Sequence, residues 1–321
     1  MSTTRGRTVL FAYHTIGARV LAALLERGEH VAAVVTHPDD PGERGWFESV
    51  ADLARAHALP LFTVTNTPAL AGALAALEPD VVLSVWFRRL LGPELLALPR
   101  VAALNLHGSL LPAYRGRAPL NWVLVNGERR TGVTLHHMTP EADAGDVVAQ
   151  TPIDVDPDDT AATLYPRIVA AGVGLVQAWY PAVLAGTAPR IPQDHGRATT
   201  FGRRRPEDGR IAWDWPAVRI ANMIRAVTHP FPGAFVGDGA DRLYLWGSRL
   251  GEGAAPARAA AGTVVDVRAG AGVAVATGDG VLWLTRIQRV GEAEESADVW
   301  ARRHGVRPGG ALRAAAEEVA R

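Results

Sequence analysis

Apolar residues recur with two different spacings along the first half of the chain. Short apolar runs bounded by turn residues alternate with segments whose apolar residues recur at helical spacing, as at Val20, Leu21, Leu24 and Leu25. The runs at 80–86 and 101–106 show no internal alternation, which predicts strands buried on both faces. Alternating strands and helices predict a parallel, doubly wound sheet. We predict strands at 8–13, 30–36, 61–64, 80–86, 101–106 and 132–138, with helices at 47–57 and 160–184.

The pattern changes after the last of these helices. Residues 186–210 are rich in structure breakers and arginine, which predicts a linker. A helical pattern at 213–227 is then followed by short apolar runs between glycine-rich turns, at 243–246, 263–267, 273–277 and 281–284. Short strands at close spacing predict a small barrel. We therefore expect an α/β domain over 1–190, a linker over 186–210, a β-barrel domain over 211–312 and a tail over 313–321.

Composition narrows the possible chemistry. The 321 residues are 48% hydrophobic, which fits a globular protein with a sizeable core. The chain has no cysteine and all 33 of its basic residues are arginine, so thiol nucleophiles, Cys-ligated zinc and Schiff-base or P-loop lysines are excluded. No run reaches ~18 uninterrupted apolar residues and no cleavage pattern follows the first one. We expect a cytoplasmic protein without membrane insertion.

Charge argues against nucleic acid as a partner. The 33 basic residues are matched by 33 acidic ones, and the formal net charge is zero. From residue 213 to the end, the chain has 13 arginines and 12 acidic residues, so the predicted second domain is also nearly neutral. Because a polyanion requires a basic surface, we expect small-molecule ligands instead.

Three polar residues suggest a site where strands end. Asn105 and His107 lie two residues apart at the end of the 101–106 run, so their side chains leave on the same side. An amide can hold an oxyanion, and an imidazole can exchange a proton near neutral pH. Asp143 follows the 132–138 run, and a carboxylate beside the imidazole would orient the ring and raise its pKa. Together they predict acyl transfer without a covalent nucleophile, at the strand ends where α/β sheets bind ligands.

The stretch at 105–122 resembles the signature of formyltransferases that use 10-formyltetrahydrofolate. It reads N-L-H-G-S-L-L-P-A-Y-R-G-R-A-P-L-N-W, with T-G-V-T following at 131–134 and D-A-G at 143–145. Within that family the chain most resembles the domain that formylates UDP-4-amino-4-deoxy-L-arabinose, part of a bifunctional enzyme of lipid A modification and polymyxin resistance. That similarity includes F-A-Y-H at 11–14, T-H-P-D-D-P-G-E at 36–43 and R-A-P-L-N-W-V-L-V-N-G-E at 117–128.

The resemblance covers nearly the whole chain and implies both fold and ligands. It implies a Rossmann-like formyltransferase domain followed by an OB-like β-barrel, with Asn105, His107 and Asp143 catalytic and 10-formyltetrahydrofolate as co-substrate. The implied folate contacts are Arg89, Leu90, Leu91, Arg117, Thr139, Pro140, Glu141 and Ala142. The implied sugar-nucleotide contacts are Tyr13, His14, Thr15 and Arg115.

Metal and dinucleotide sites are not expected. His136 and His137 are adjacent, so on a strand they point to opposite faces, and no acid or cysteine lies at ligand spacing. The segment after the first strand contains Gly17 but no glycine-rich dinucleotide fingerprint.

The acceptor and the partners stay open. Methionyl-tRNA or a siderophore-type hydroxyornithine could be the amine that is formylated. Formyltetrahydrofolate hydrolases and glycinamide-ribonucleotide transformylases share the Asn, His and Asp residues and are further alternatives. Outside catalysis, the chain could be a folate-binding module with an inactive site. It could also form a homo-oligomer, or associate with a separate dehydrogenase that acts on UDP-glucuronic acid.

Overall fold

A computed structural model describes residues 6–42, 46–64, 68–251 and 259–312. These residues form two compact units. The first is drawn from 1–119, 130–155 and 165–202, and the second from 120–129, 156–164 and 203–321. The last change of unit, at 202–203, falls in the stretch predicted as a linker. The predicted tail at 313–321 lies outside the described residues.

The elements up to residue 201 follow the predicted alternation of strands and helices. In chain order they are β1 (Arg7–Ala12), α1 (His14–Glu26), β2 (His30–Thr36), α2 (Val50–Ala56), β3 (Leu61–Thr63), α3 (Ala71–Ala75), β4 (Val81–Val85), α4 (Pro93–Leu96), β5 (Ala102–His107), β6 (Arg115–Gly116), α5 (Pro119–Val125), β7 (Arg130–His137), β8 (Val147–Asp154), α6 (Ala161–Leu184) and β9 (Thr200–Phe201).

A seven-stranded sheet organises the first unit. Its strand order is β3-β2-β1-β4-β5-β7-β8. Strands β3, β2, β1, β4 and β5 pair in parallel, whereas β5–β7 and β7–β8 are antiparallel pairs. The prediction of a mostly parallel α/β sheet is confirmed.

Both faces of this sheet are covered, as the uninterrupted apolar runs require. Val9 and Phe11 of β1 pack in one core with Leu74 of α3 and Leu95 of α4. Thr8, the residue before Val9, points the other way, where its hydroxyl hydrogen-bonds the buried hydroxyl of Tyr180 in α6. Side chains that alternate along each strand therefore supply two cores, one on each face.

Strand β8 and helix α2 are among the elements that differ from the sequence prediction. Strand β8 lies at the sheet edge and was not predicted, since it alternates between exposed and half-buried positions and contains Pro152. Helix α2 begins three residues later than predicted, because the Ser49 side chain accepts the Asp52 backbone N–H and caps it. Because Ser49 is the N-cap, the residues before it, including Phe47, lie outside the helix.

Helix α6 is long and apolar enough to cross a membrane by length and composition alone. It also contains Pro166 and Pro181. Its residues Ile168, Val176 and Tyr180 are almost completely buried within the protein.

The second unit has an antiparallel sheet of its own. Its elements from residue 217 on are α7 (Ala217–Val227), β10 (Ala234–Val236), β11 (Leu243–Leu250), β12 (Val264–Arg268), β13 (Gly272–Ala276), β14 (Val281–Arg289), β15 (Glu295–Ser296) and α8 (Ala297–Arg303). The strand order is β10-β11-β14-β13-β12, with β15 beside β14. A separate antiparallel sheet is thus confirmed, whereas its closure into an OB-like barrel stays a prediction.

Candidate functional site

The carboxyl end of β5 presents Asn105 and His107 to one carboxylate. The Asn105 amide nitrogen lies 3.2 Å from Asp143 Oδ1. The Nδ1 atom of His107 lies 3.5 Å from the same oxygen. Because side chains two residues apart share a face, both reach the turn that follows β7. The structure therefore brings the three predicted catalytic residues together.

The turn that carries Asp143 is held from several directions. The Gly116 backbone N–H donates to Asp143 Oδ2 at 2.9 Å. The Gln193 side-chain amide donates to the carbonyls of Asp143 and Gly145, at 2.8 and 2.7 Å. A Cβ atom built on Gly145 would lie 1.9 Å from the His137 carbonyl oxygen, so this position has no room for a larger residue. The carboxylate is therefore fixed by its surroundings.

His136 is a fourth member of the site, and the sequence reasoning missed its role. Its Nδ1 lies 2.9 Å from the His137 carbonyl oxygen, so this nitrogen carries the hydrogen. Its Nε2 is then free to accept the second amide hydrogen of Asn105, at 3.1 Å. The role depends on the pairing of β5 with β7, which sets Asn105 opposite His136 and which no local sequence pattern records.

The His107 ring is buried between two acceptors. Its Nε2 lies 2.8 Å from the Tyr114 carbonyl oxygen and its Nδ1 faces Asp143. Burial lowers the pKa of His107, and although Asp143 and the Tyr114 carbonyl oppose this, the net direction is downward. The predicted rise in the His107 pKa is therefore corrected, because desolvation of the imidazolium outweighs the attraction of the carboxylate.

Asp143 remains ionised in the same surroundings. Burial alone would raise its pKa, but the neighbouring His107 and His136 rings and the Gly116 N–H together hold the pKa well below its usual range. A carboxylate that accepts several hydrogen bonds keeps its charge even when buried. The site thus holds one fixed negative charge beside an imidazole that can gain or lose a proton.

Backbone strain is concentrated around this end of the sheet. Five residues other than glycine adopt left-handed φ angles between 51° and 61° in the loops after β1, β4, β5 and β7. They are His14, Trp86, Tyr114, Ala118 and Asp143. Such conformations each cost of order 1–3 kcal/mol and persist where the surrounding structure enforces them, commonly at functional sites.

Family models match both units of the chain. The formyl transferase model matches residues 7–183, and the model of the formyl transferase C-terminal domain matches residues 204–305. The chain belongs to the formyl transferase family. It is accordingly a formyl-transferring enzyme, and the three residues that meet at the β5 end lie inside the first matched region.

Solved structures of related fold agree with this assignment. WlaRD, a sugar 3N-formyl transferase solved with dTDP and 5-N-formyl-THF, is 17% identical, with a TM-score of 0.66 over 90% of this chain and 99% of its own. An N-formyltransferase from Helicobacter canadensis, in complex with folinic acid and dTDP-3-aminofucose, is 18% identical, with a TM-score of 0.67 over 87% of this chain and 98% of its own. At such identities the likeness shows the fold alone.

HypX from Aquifex aeolicus, in complex with tetrahydrofolic acid, is a longer protein with a similar fold. It is 21% identical, with a TM-score of 0.63, and the match covers 94% of this chain but 47% of HypX. This formyl transferase therefore spans about half the length of HypX.

Three of the four residues predicted to contact the sugar nucleotide, Tyr13, His14 and Thr15, lie where β1 passes into α1. The Tyr13 ring packs on His14 with centroids 4.3 Å apart, and the Arg88 guanidinium lies 4.5 Å above Tyr13. An Arg88 nitrogen is 3.0 Å from His14 Nε2, so the sequence reasoning missed a cation here. Thr15 instead accepts the Glu48 backbone N–H. Tyr13, His14 and Arg88 form one cationic aromatic cluster.

The residues predicted to contact folate differ in exposure. Arg89 and Leu90 are exposed, Leu90 at 72%, whereas Leu91 is buried in the core beside Leu95. The turn from Thr139 to Glu141 is exposed and Ala142 is half-buried. Exposed Arg117 donates to the Arg88 carbonyl at 2.8 Å, which links the two loops. The contact of the loop at 89–91 and the turn at 139–142 with folate stays a prediction.

Arg115 differs from its prediction as a ligand contact. It is 5% exposed, and its guanidinium donates to the Gln193 side-chain oxygen at 2.8 Å and lies 3.1 Å from His195 Nδ1. Gln193 also hydrogen-bonds the Asp143 turn, so Arg115 supports that turn through Gln193. It does not face an open pocket.

The two adjacent histidines point apart, as alternation on β7 requires. His136 faces Asn105, whereas the Nε2 atom of His137 lies 3.2 Å from the Pro189 carbonyl oxygen. Within the described ranges, no three His, Asp or Glu side chains group as metal ligands.

Proposed function

We propose that this enzyme transfers the formyl group of 10-formyltetrahydrofolate to the amine of a sugar nucleotide, UDP-4-amino-4-deoxy-L-arabinose. The observation that carries the proposal is the meeting of Asn105, His107 and Asp143 at the end of β5. The chain has no cysteine, and the Ser109 hydroxyl there donates to the Ala113 carbonyl at 2.6 Å. Direct attack by the amine therefore fits better than a covalent enzyme intermediate.

The reaction needs a hydrogen-bond donor that stabilises the oxyanion and a group that transfers protons. The amine lone pair forms a bond to the formyl carbon, and the carbonyl π electrons move to oxygen to give a tetrahedral intermediate. The bond from carbon to N10 of the folate then breaks, and a proton leaves the new ammonium while N10 gains one. We assign the oxyanion to Asn105 and His107, the proton transfer to His107, and the orientation of the ring to Asp143.

The resting arrangement of Asn105 adds a step to this scheme. Both of its amide hydrogens are directed inside the protein, one at His136 and one at Asp143. A full oxyanion is a stronger acceptor than a neutral ring nitrogen. We propose that the intermediate takes the hydrogen from His136, so that Asn105 stays anchored by Asp143.

Three observations favour a sugar nucleotide as acceptor. The resemblance at 11–14, 36–43 and 117–128 extends beyond the catalytic signature, although residue 43 lies outside the described structure. Two proteins of similar fold were solved with dTDP or a dTDP-sugar. The zero net charge suits a small diphosphate better than a tRNA. On this proposal the enzyme serves lipid A modification and polymyxin resistance in the cytoplasm.

A parallel assay tests the proposal. Tetrahydrofolate release is measured from 10-formyltetrahydrofolate with UDP-4-amino-4-deoxy-L-arabinose, dTDP-amino sugars, hydroxyornithine and methionyl-tRNA. We expect the UDP sugar to have the highest kcat/KM by at least about tenfold, equivalent to ~1.4 kcal/mol of transition-state discrimination. A dTDP sugar in first place would replace the acceptor and leave the chemistry intact. No release with any amine would favour a folate-binding module with an inactive site.

A further inference from the structure

The second unit contains a basic cleft that the formyl transfer does not use. It has a volume of about 750 Å³ and lies between the C-terminal end of α5, the start of α7 and the segment around Arg203. Its lining includes Trp122, Asn126, Arg203, Arg204, Arg219 and Asn222. All of these residues belong to the second unit, whereas the Asn105 site belongs to the first. We refer to it as the α5–α7 cleft.

The charge of the cleft is positive and largely uncompensated. Arg203 and Arg219 are exposed, and neither forms an ion pair within the described part of the chain. The acidic residue of the lining is Asp208, whose carboxylate already accepts the Arg205 backbone N–H at 2.6 Å. The Arg204 guanidinium donates to the Asp208 carbonyl rather than to its carboxylate. An anion in the cleft would meet guanidinium groups with unused donors.

Aromatic rings hold two of these arginines in place. The Arg204 guanidinium lies 4.7 Å from the centre of the Trp122 ring, and the Arg219 guanidinium lies 3.9 Å from that of Trp215. Stacking orders a long side chain before a ligand arrives, which lowers the entropic cost of binding. Planar guanidinium groups bind phosphate oxygens in pairs, which a single ammonium cannot do.

We infer that the α5–α7 cleft binds a nucleoside diphosphate. Arg203 and Arg219 would hold the two phosphates. The Arg204 guanidinium that stacks on Trp122 offers a flat surface for the base, and the Asn222 amide offers a polar group. The volume is in the range of small-ligand sites. Neutrality of the whole chain disfavours an extended nucleic acid, which requires a broader basic surface. The inference concerns a second site and does not depend on which amine the enzyme formylates.

Calorimetric titration of the full chain with UDP tests this inference. The expected wild-type result is two UDP per chain, one in the cleft and one in the acceptor site. We expect Arg203→Ala or Arg219→Ala to raise the Kd of one site by about tenfold or more, as the loss of charged hydrogen bonds requires. Arg205→Ala is the matched control, since Arg205 lies two residues after Arg203, is exposed and does not line the cleft. It should change neither Kd by more than about twofold.

The possible outcomes separate this inference from the proposed function. If the acceptor is not a sugar nucleotide, the wild-type chain binds one UDP and Arg203→Ala weakens that one. If the inference is wrong, Arg203→Ala and Arg205→Ala behave alike. If pyrophosphate binds as tightly as UDP, the nucleotide assignment is wrong. It is also wrong if Arg203→Ala raises the Kd for tRNA but leaves the Kd for UDP unchanged.

Discussion

Asn105 hydrogen-bonds other residues of the protein and is also proposed to hydrogen-bond the substrate. Its amide is held by Asp143 and His136, and we propose that it also meets the oxyanion. Asn105→Ala should lower kcat by about 10²–10³, the usual cost of one oxyanion donor. Steady-state kinetics measures this, with thermal unfolding to show that the variant is folded. Near-normal turnover in a folded variant would remove Asn105 from the mechanism.

His136 is expected to act on the reaction only through Asn105. His136→Leu removes the acceptor of one amide hydrogen, so Asn105 can rotate, and we expect kcat to fall about tenfold with KM unchanged. His136→Gln keeps an acceptor oxygen near that position and should recover most of the loss. Equal losses in the two variants, accompanied by a lower Tm, would indicate that His136 has only a structural role.

His37 should make the stability of the protein depend on pH. Burial, followed by the charges of Arg88 and Arg89, lowers the pKa of His37 from 6.5 to about 4. Between these values the unfolded chain binds a proton that the folded protein does not, so stability is lost as pH falls through this range. The contribution is at most about 3 kcal/mol.

The comparison with His37→Gln isolates this contribution. Glutamine can still accept the Arg88 backbone N–H, which His37 Nε2 accepts at 3.0 Å. Urea unfolding at pH 7 and pH 4.5 should show a smaller loss of unfolding free energy in His37→Gln than in the wild type. Parallel losses in both proteins would show that His37 titrates normally in the folded state.

The turn after β7 matters at the scale of an element, because it carries Asp143 to β5. Gly145→Ala would force a methyl group against the His137 carbonyl, so we expect a loss of about 1–3 kcal/mol in unfolding free energy and a reduced kcat. Gly174→Ala in α6 is the matched control, since nothing lies within 4 Å of its added methyl group. There, the better helix propensity of alanine should stabilise the protein by up to about 1 kcal/mol. Urea unfolding and turnover of both variants check the pair.

The ends of helices and strands show where the local sequence pattern was enough to predict them. The buried parallel strands match their predicted runs because the apolar residues that define them are consecutive. Helix α7 begins at Ala217 rather than at the predicted 213, since Pro216 takes the cap position. Strands β11 and β14 extend beyond their predicted ends, to Leu250 and Arg289, because they pair with each other over exposed and half-buried positions. Pairing between strands that are distant in sequence has no local signature.

At the scale of the whole molecule, zero net charge predicts weak salt dependence. We expect kcat/KM for the sugar nucleotide to change by less than about tenfold between 50 and 200 mM salt, because few phosphate charges are neutralised. A tRNA acceptor that makes 6–10 phosphate contacts would lose about 10³–10⁵ in affinity over the same range. Initial rates at four salt concentrations distinguish the two cases. A steep loss with the sugar nucleotide would contradict the argument from charge.

The alternation of strands and helices could be predicted from the sequence, as could the shared side of Asn105 and His107. Both follow from a period set by neighbouring residues, which the chain encodes locally. Only the tertiary structure decided what these side chains meet. Asp143 reaches Asn105 across 38 positions of sequence, and Gln193 reaches Arg115 across 78. The fall in the His107 pKa likewise depends on how much of the fold buries the ring, which no local spacing records.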